Sequence, residues 1–165
     1  MARERFARHS IGEDLIKGAI AGAAATWVMG KMSEVMRGVE RRADEARGAG
    51  TGYGAAVEKA AGAIGRTLGG KDRERPGSAV HWALGIGSGA VYAVLRRRLA
   101  GISRTAGVGF GTVFWAAIDE GVVPALGLGG ASRAFPWRRN ARGLAGHLTF
   151  GTVTDGALRL LDAVV

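Results

Sequence analysis

The chain has 165 residues, 47% of them hydrophobic, with 29 glycines, three prolines, no cysteine and a net charge of +9. That length allows one domain or a handful of membrane helices and excludes two large domains, while the lack of cysteine excludes disulfides and thiolate metal sites. Glycine lies far above its usual share of about 7% and follows no collagen period; the positive charge suits nucleic acid, an acidic membrane surface or the basic flanks of membrane spans.

The first ten residues are strongly charged and no cleavage site follows the first apolar run, so no cleavable signal peptide is expected. Four apolar segments follow, with approximate spans 11–36, 77–97, 104–131 and 143–163. The first has an uncharged centre at 18–30. The second contains 19 uncharged residues, 77–95, ending at Arg96, Arg97 and Arg98; about 20 apolar residues cross a hydrocarbon core. The third is broken by the adjacent Asp119 and Glu120, with Pro124 set to kink or end it. The fourth holds His147, Asp155, Arg159 and Asp162 and has the shortest uncharged run.

The arginines cluster at the ends of these segments, as flanks bracket membrane spans, whereas a nucleic-acid domain more often lines them along one face with interleaved aromatics. The connection 37–76 is of mixed charge. Within it, 53–68 has apolar residues at helical spacing around Glu58, Lys59 and Arg66, which fits either an amphipathic helix on the membrane surface or an ordinary cytosolic helix. The stretch 132–140 sets Phe135, Pro136 and Trp137 beside arginines, the composition of a membrane–water interface. Every inter-segment loop is basic, so charge leaves the orientation open. The expected fold is all-α, a single integral-membrane domain over 1–165. It is a four-helix transmembrane bundle with glycine-mediated helix packing, plus a short amphipathic surface helix.

All four segments carry small residues at a period of four. Asp14, Gly18, Gly22, Thr26, Gly30 and Glu34 form one line; Gly77, His81, Gly85, Gly89 and Ala93 a second; Ser103, Gly107, Gly111, Trp115 and Asp119 a third; Gly143, His147, Gly151, Asp155 and Arg159 a fourth. Small residues at this spacing let two backbones approach closely, which is how helices associate where no hydrophobic force drives them together. In a soluble helix each glycine would cost about 1 kcal/mol relative to alanine. Gly18, Gly22, Gly85, Gly89, Gly107, Gly111 and Gly151 are therefore assigned to helix packing. The ionisable groups His81, Asp119, His147 and Asp155 fall on the same lines and are expected to face the bundle interior, with Glu120 turned away from Asp119. Segment one parallels segment three. Aligning His81 with His147 makes segment two parallel segment four, as in a duplicated helix pair.

The strings DLIKGAIAGAAATWVM, HWALGIGSGAVYAVL, GFGTVFWAAIDEGVVPALGL and GHLTFGTVTDGALR resemble the YagU-like bacterial inner-membrane proteins, a family of unknown biochemical function. The resemblance covers most of the chain outside 37–75. It implies a multi-pass inner-membrane protein with a loose link to acid resistance, and it brings no established catalytic residues.

Three chemistries remain open for the intramembrane polar candidates His81, Asp119, Glu120, His147 and Asp155. The two histidines could ligate haem, or one metal ion with Asp119 or Glu120; the simpler reading is that each hydrogen-bonds within a packed bundle, with no metal and no cofactor. The carboxylates and histidines could relay protons, or the carboxylates could pair with arginines such as Arg159. The GVGFG run at Gly107 has no phosphate-binding lysine, and no nucleophile elbow accompanies the Ser, His and Asp residues, so no enzyme is expected. The leading expectation is a non-catalytic structural or accessory component of a membrane assembly. Its partners are the lipid bilayer and either further copies of itself or other membrane subunits, with no nucleic acid. A proton or cation pathway, a haem- or metal-binding protein and a soluble basic helical nucleic-acid binder are the alternatives.

Overall fold

The computed structural model describes residues 10–44, 59, 61–62, 70–99, 101–125 and 136–164. These residues are all-helical. Helix α1 is Ile11–Asp44, α2 is Gly70–Arg98 and α4 is Pro136–Val164. Helix α3, Val108–Trp115, runs straight on into a π-helical segment, Ala116–Val122, and a last α-turn, Val123–Ala125. The amphipathic helix expected at 53–68 lies outside the described residues, apart from Lys59, Ala61 and Gly62.

Local chemistry sets the boundaries. Ser10 caps α1: its Oγ accepts from the Glu13 N–H at 3.1 Å, and the acidic Glu13 and Asp14 sit in the first turn, where the helix dipole favours them. Arg96, Arg97 and Arg98 close α2 at its negative end. A 3-10 turn, Ile102–Thr105, then intervenes, and helix resumes only after Ala106 (φ 47°) and Gly107 (φ 82°) have taken left-handed conformations. This is why α3 begins at Val108, later than the expected 104. Pro136 opens α4, where a missing N–H is harmless. The wide π-turns come just before Pro124, which has no N–H to offer the carbonyl four residues back. The Val123 N–H reaches Ile118 O, five residues back.

The helices run alternately up and down. α1 packs against both α2 and α4, and α3 packs against α4. Two glycine crossings build this arrangement. A Cβ on Gly89 would stand 2.5 Å from the Gly22 Cα, and one on Gly22 would stand 3.0 Å from the Gly89 Cα, so α1 and α2 touch backbone to backbone. In the second crossing a Cβ on Gly151 would stand 3.0 Å from the Gly111 Cα, and one on Gly111 would stand 3.1 Å from the Leu148 Cα. Gly89 lies on Gly18 and Gly22 as Gly151 lies on Gly107 and Gly111. The geometric equivalent of His147 is therefore Gly85, and the alignment of His81 with His147 is one turn out. A period-four stripe matches itself at every multiple of four, so sequence alone had no means of choosing the register.

The interior is small and polar, and the outside is large and apolar. The buried apolar residues of the main cluster are Ala21, Tyr92, Ala93 and Leu158, with Ile102, Phe110 and Ala157 against them. Asp14, Lys17, Thr26, His147, Thr154 and Asp155 are buried too. Ile16, Ile20, Trp27, Val91, Val113, Trp137 and Leu160 face outward, with Ile16 65%, Val113 68% and Leu160 70% exposed.

Candidate functional site

The polar interior divides into two parts. At the end formed by the start of α1 and the ends of α2 and α4, four carboxylates (Glu13, Asp14, Asp155, Asp162) meet four bases (Lys17, Arg96, Arg97, Arg159). Arg97 joins α1 to α4, with Nε 2.5 Å from Asp14 Oδ1 and Nη2 2.6 Å from Asp162 Oδ1. Arg96 also pairs with Asp162, and its Nη1 lies 3.6 Å from Asp155 Oδ1. Lys17, buried beneath, has Nζ 2.9 Å from Glu13 and 3.6 Å from Asp162, as charge neighbours without an aligned hydrogen bond. Asp155 is 1% exposed. It accepts from Tyr92 Oη at 2.8 Å and from Arg159 Nε at 2.6 Å, while Arg159 Nη2 also donates to Ser103 O at 2.8 Å. Buried carboxylates are expensive unless matched, and this cluster balances four against four.

Next comes a wall of rings. Tyr92 meets Phe110 at 4.5 Å between centroids, Phe110 meets Phe114 at 5.9 Å and Phe150 at 6.3 Å, and Phe114 meets Phe150 at 5.6 Å. These rings separate the charged end from the histidines; His147 lies eight residues before Asp155 on α4, about 12 Å along the helix.

Beyond the rings, His81 and His147 open onto one cleft, also lined by Thr26, Met29, Leu84 and Phe150. It has room for about one water molecule, far too little for a porphyrin, so the haem alternative does not fit the described bundle. His147 is 3% exposed. Its Nδ1 is 3.0 Å from Gly143 O, which fixes the proton on Nδ1 and leaves the Nε2 lone pair open. Phe114 meets the same imidazole edge-on at 5.1 Å. Asp119, brought round by the π-turns, has Oδ2 3.9 Å from His147 Nδ1 and packs against Gly143. It thus sits on the far side of the imidazole from the open nitrogen. Glu120 is exposed. Trp115 Nε1 is buried beside Gly143 and, among the described residues, has no hydrogen-bond partner. Among those residues, no group of three or more His, Asp or Glu side chains is arranged to hold a metal ion.

The sequence candidates therefore fall into two places. His81, His147 and Asp119 come together, Asp155 belongs to the ion-pair cluster with Arg159, and Glu120 joins neither. The larger part of the cluster was missed. Arg96 and Arg97 read as span flanks, and only the helix crossing reveals that they meet Asp14 and Asp162. The chain matches no protein-family model, no curated protein and no solved structure.

Proposed function

We propose that this protein is a four-helix integral membrane protein of the bacterial inner membrane that acts as a non-catalytic structural or accessory component of a membrane assembly. The observation that carries the reading is the inverted distribution of polarity: matched charges and glycine inside, isoleucine, valine, leucine and tryptophan outside. A water-soluble bundle has the opposite arrangement. The stretch Ser78–Arg98, with mean hydropathy 1.3, is long and apolar enough to cross a membrane, and most of it is not buried within the bundle, unlike the core helix of a soluble protein. Helices of 34, 29 and 29 residues also exceed the ~20 needed to span. The resemblance to the YagU-like inner-membrane proteins supports the same reading.

The test is fractionation followed by crosslinking of intact membranes. The account expects the protein to stay in the pellet through alkaline carbonate, to need detergent for release, and to crosslink to itself or to other membrane proteins. Release by salt or carbonate would end the membrane reading, and a lone monomer in crosslinked membranes would end the accessory one.

A proton or cation pathway is the second reading, favoured by His81, His147, Asp119 and Asp155 lying on inward helix faces. Conduction would require the ring wall of Phe110, Phe114 and Phe150 to open. Flux in proteoliposomes that Asp119→Asn abolishes would establish it; absence of flux would remove it.

A further inference from the structure

Three of the chain's four methionines lie on one stretch of α1, at Met29, Met32 and Met36. Spacings of three and four set them along one helix face, and all three are half-buried. Met29 lines the histidine cleft and lays its methyl group over Gly146, the residue before His147. One turn on, Met32 Sδ accepts from Thr149 Oγ1 of α4 at 2.9 Å, so that thioether is turned toward the helix that carries His147.

The cleft is therefore lined by a methionine from α1, a histidine from α2 and a histidine from α4. The tautomer of His147 is fixed by a carbonyl on Nδ1, the arrangement by which ligating histidines are commonly oriented. The remaining walls are Leu84, Gly85, Phe114, Phe150 and Thr26, whose hydroxyl is already donated to Gly22 O at 2.7 Å. The lining side chains supply two imidazoles and one thioether, with Asp119 behind His147 and outside the cleft lining. A divalent ion would lack further ligands there. Thioether and imidazole donors in low number select a soft monovalent cation.

We propose that His81, His147 and Met29 bind one soft monovalent metal ion of the copper(I) class, with Met32 and Met36 extending the soft donors along α1 toward its C-terminal end. The site stands on the cleft itself and holds whether or not the protein is an accessory subunit.

The experiment uses the full chain in detergent, with copper(I) kept reduced by ascorbate and competed against a chromophoric copper(I) chelator. The expected result is one copper(I) held per chain against the chelator, with both nitrogen and sulfur scattering in its X-ray absorption spectrum. His81→Gln and His147→Gln are each expected to weaken binding by more than the ~10–100-fold that an outer-shell change costs. Met29→Leu, a volume-conserving exchange that leaves the fold intact, is expected to lose the sulfur scattering and keep the nitrogen. Failure of the wild type to compete for copper(I) would overturn the proposal. So would equal uptake by all three variants, a sulfur signal that survives Met29→Leu, or preferential retention of zinc.

Discussion

The two ends of this bundle use polar residues in opposite ways. At the charged end eight ionisable side chains from three helices neutralise one another, and Tyr92 completes the coordination of Asp155. At the histidine end the backbone departs from α-geometry, Asp119 lies 3.9 Å from His147, and the buried Trp115 Nε1 finds no acceptor among the described residues. The first end ties helices together. The second holds groups in position without saturating them, which is where π-helical turns are frequently found in functional proteins. Stability should therefore reside in one set of polar groups and binding in the other.

Substitutions can break that division, and the largest effect is expected at Asp155. Asp155→Ala leaves Tyr92, Arg159 and Arg96 around an emptied acceptor, and loss of one partner of a buried charge group costs about 3–5 kcal/mol. Denaturation by sodium dodecyl sulfate in mixed micelles measures it. Next is Gly151→Leu, whose side chain would start against the backbone of α3. The expected loss is at or above the upper end of the ~1–3 kcal/mol typical of overpacking, read in the same titration. Tyr92→Phe removes one hydrogen bond to a charged acceptor and keeps the ring contacts, for about 1.5–3 kcal/mol. Asp119→Asn should change stability by less than about 1 kcal/mol, since the carboxylate is partly exposed and its charge is screened by solvent. An Asp119→Asn loss equal to that of Asp155→Ala would dissolve the distinction between the ends. Gly87→Ala is the control: a Cβ there meets nothing within 4 Å, so the exchange is neutral or stabilising within the ~1 kcal/mol separating the two residues in a helix.

The glycine lines were legible in the sequence because backbone contact demands small residues at helical spacing, and Gly18, Gly22, Gly85, Gly89, Gly107, Gly111 and Gly151 all lie at the two crossings. The pairing of Asp155 with Arg159 was legible as well, being one turn apart on one helix. Register was not, since a stripe that repeats every four residues fits its partner at several offsets; that ambiguity misaligned His81 with His147. The long-range ion pairs were hidden for the same reason. Arg97 and Asp14 are 83 residues apart, and only the crossing of α1 with α2 brings them together. Pro124, four residues after the acidic pair, signalled a kink or an end to the helix, but nothing local said that it would widen instead. Met29 drew no notice because a methionine in an apolar helix is ordinarily a filler of gaps.

The central claim is that the outward aliphatic faces lie in lipid, and the absence of cysteine from the chain makes it directly testable. Single cysteines at Ile20, Val91, Val113 and Leu160, all exposed on the described bundle, can be challenged with a membrane-impermeant maleimide in native membranes and again after denaturation. The account predicts that all four stay unlabelled in the membrane and react fully once denatured. Full labelling in intact membranes would contradict it.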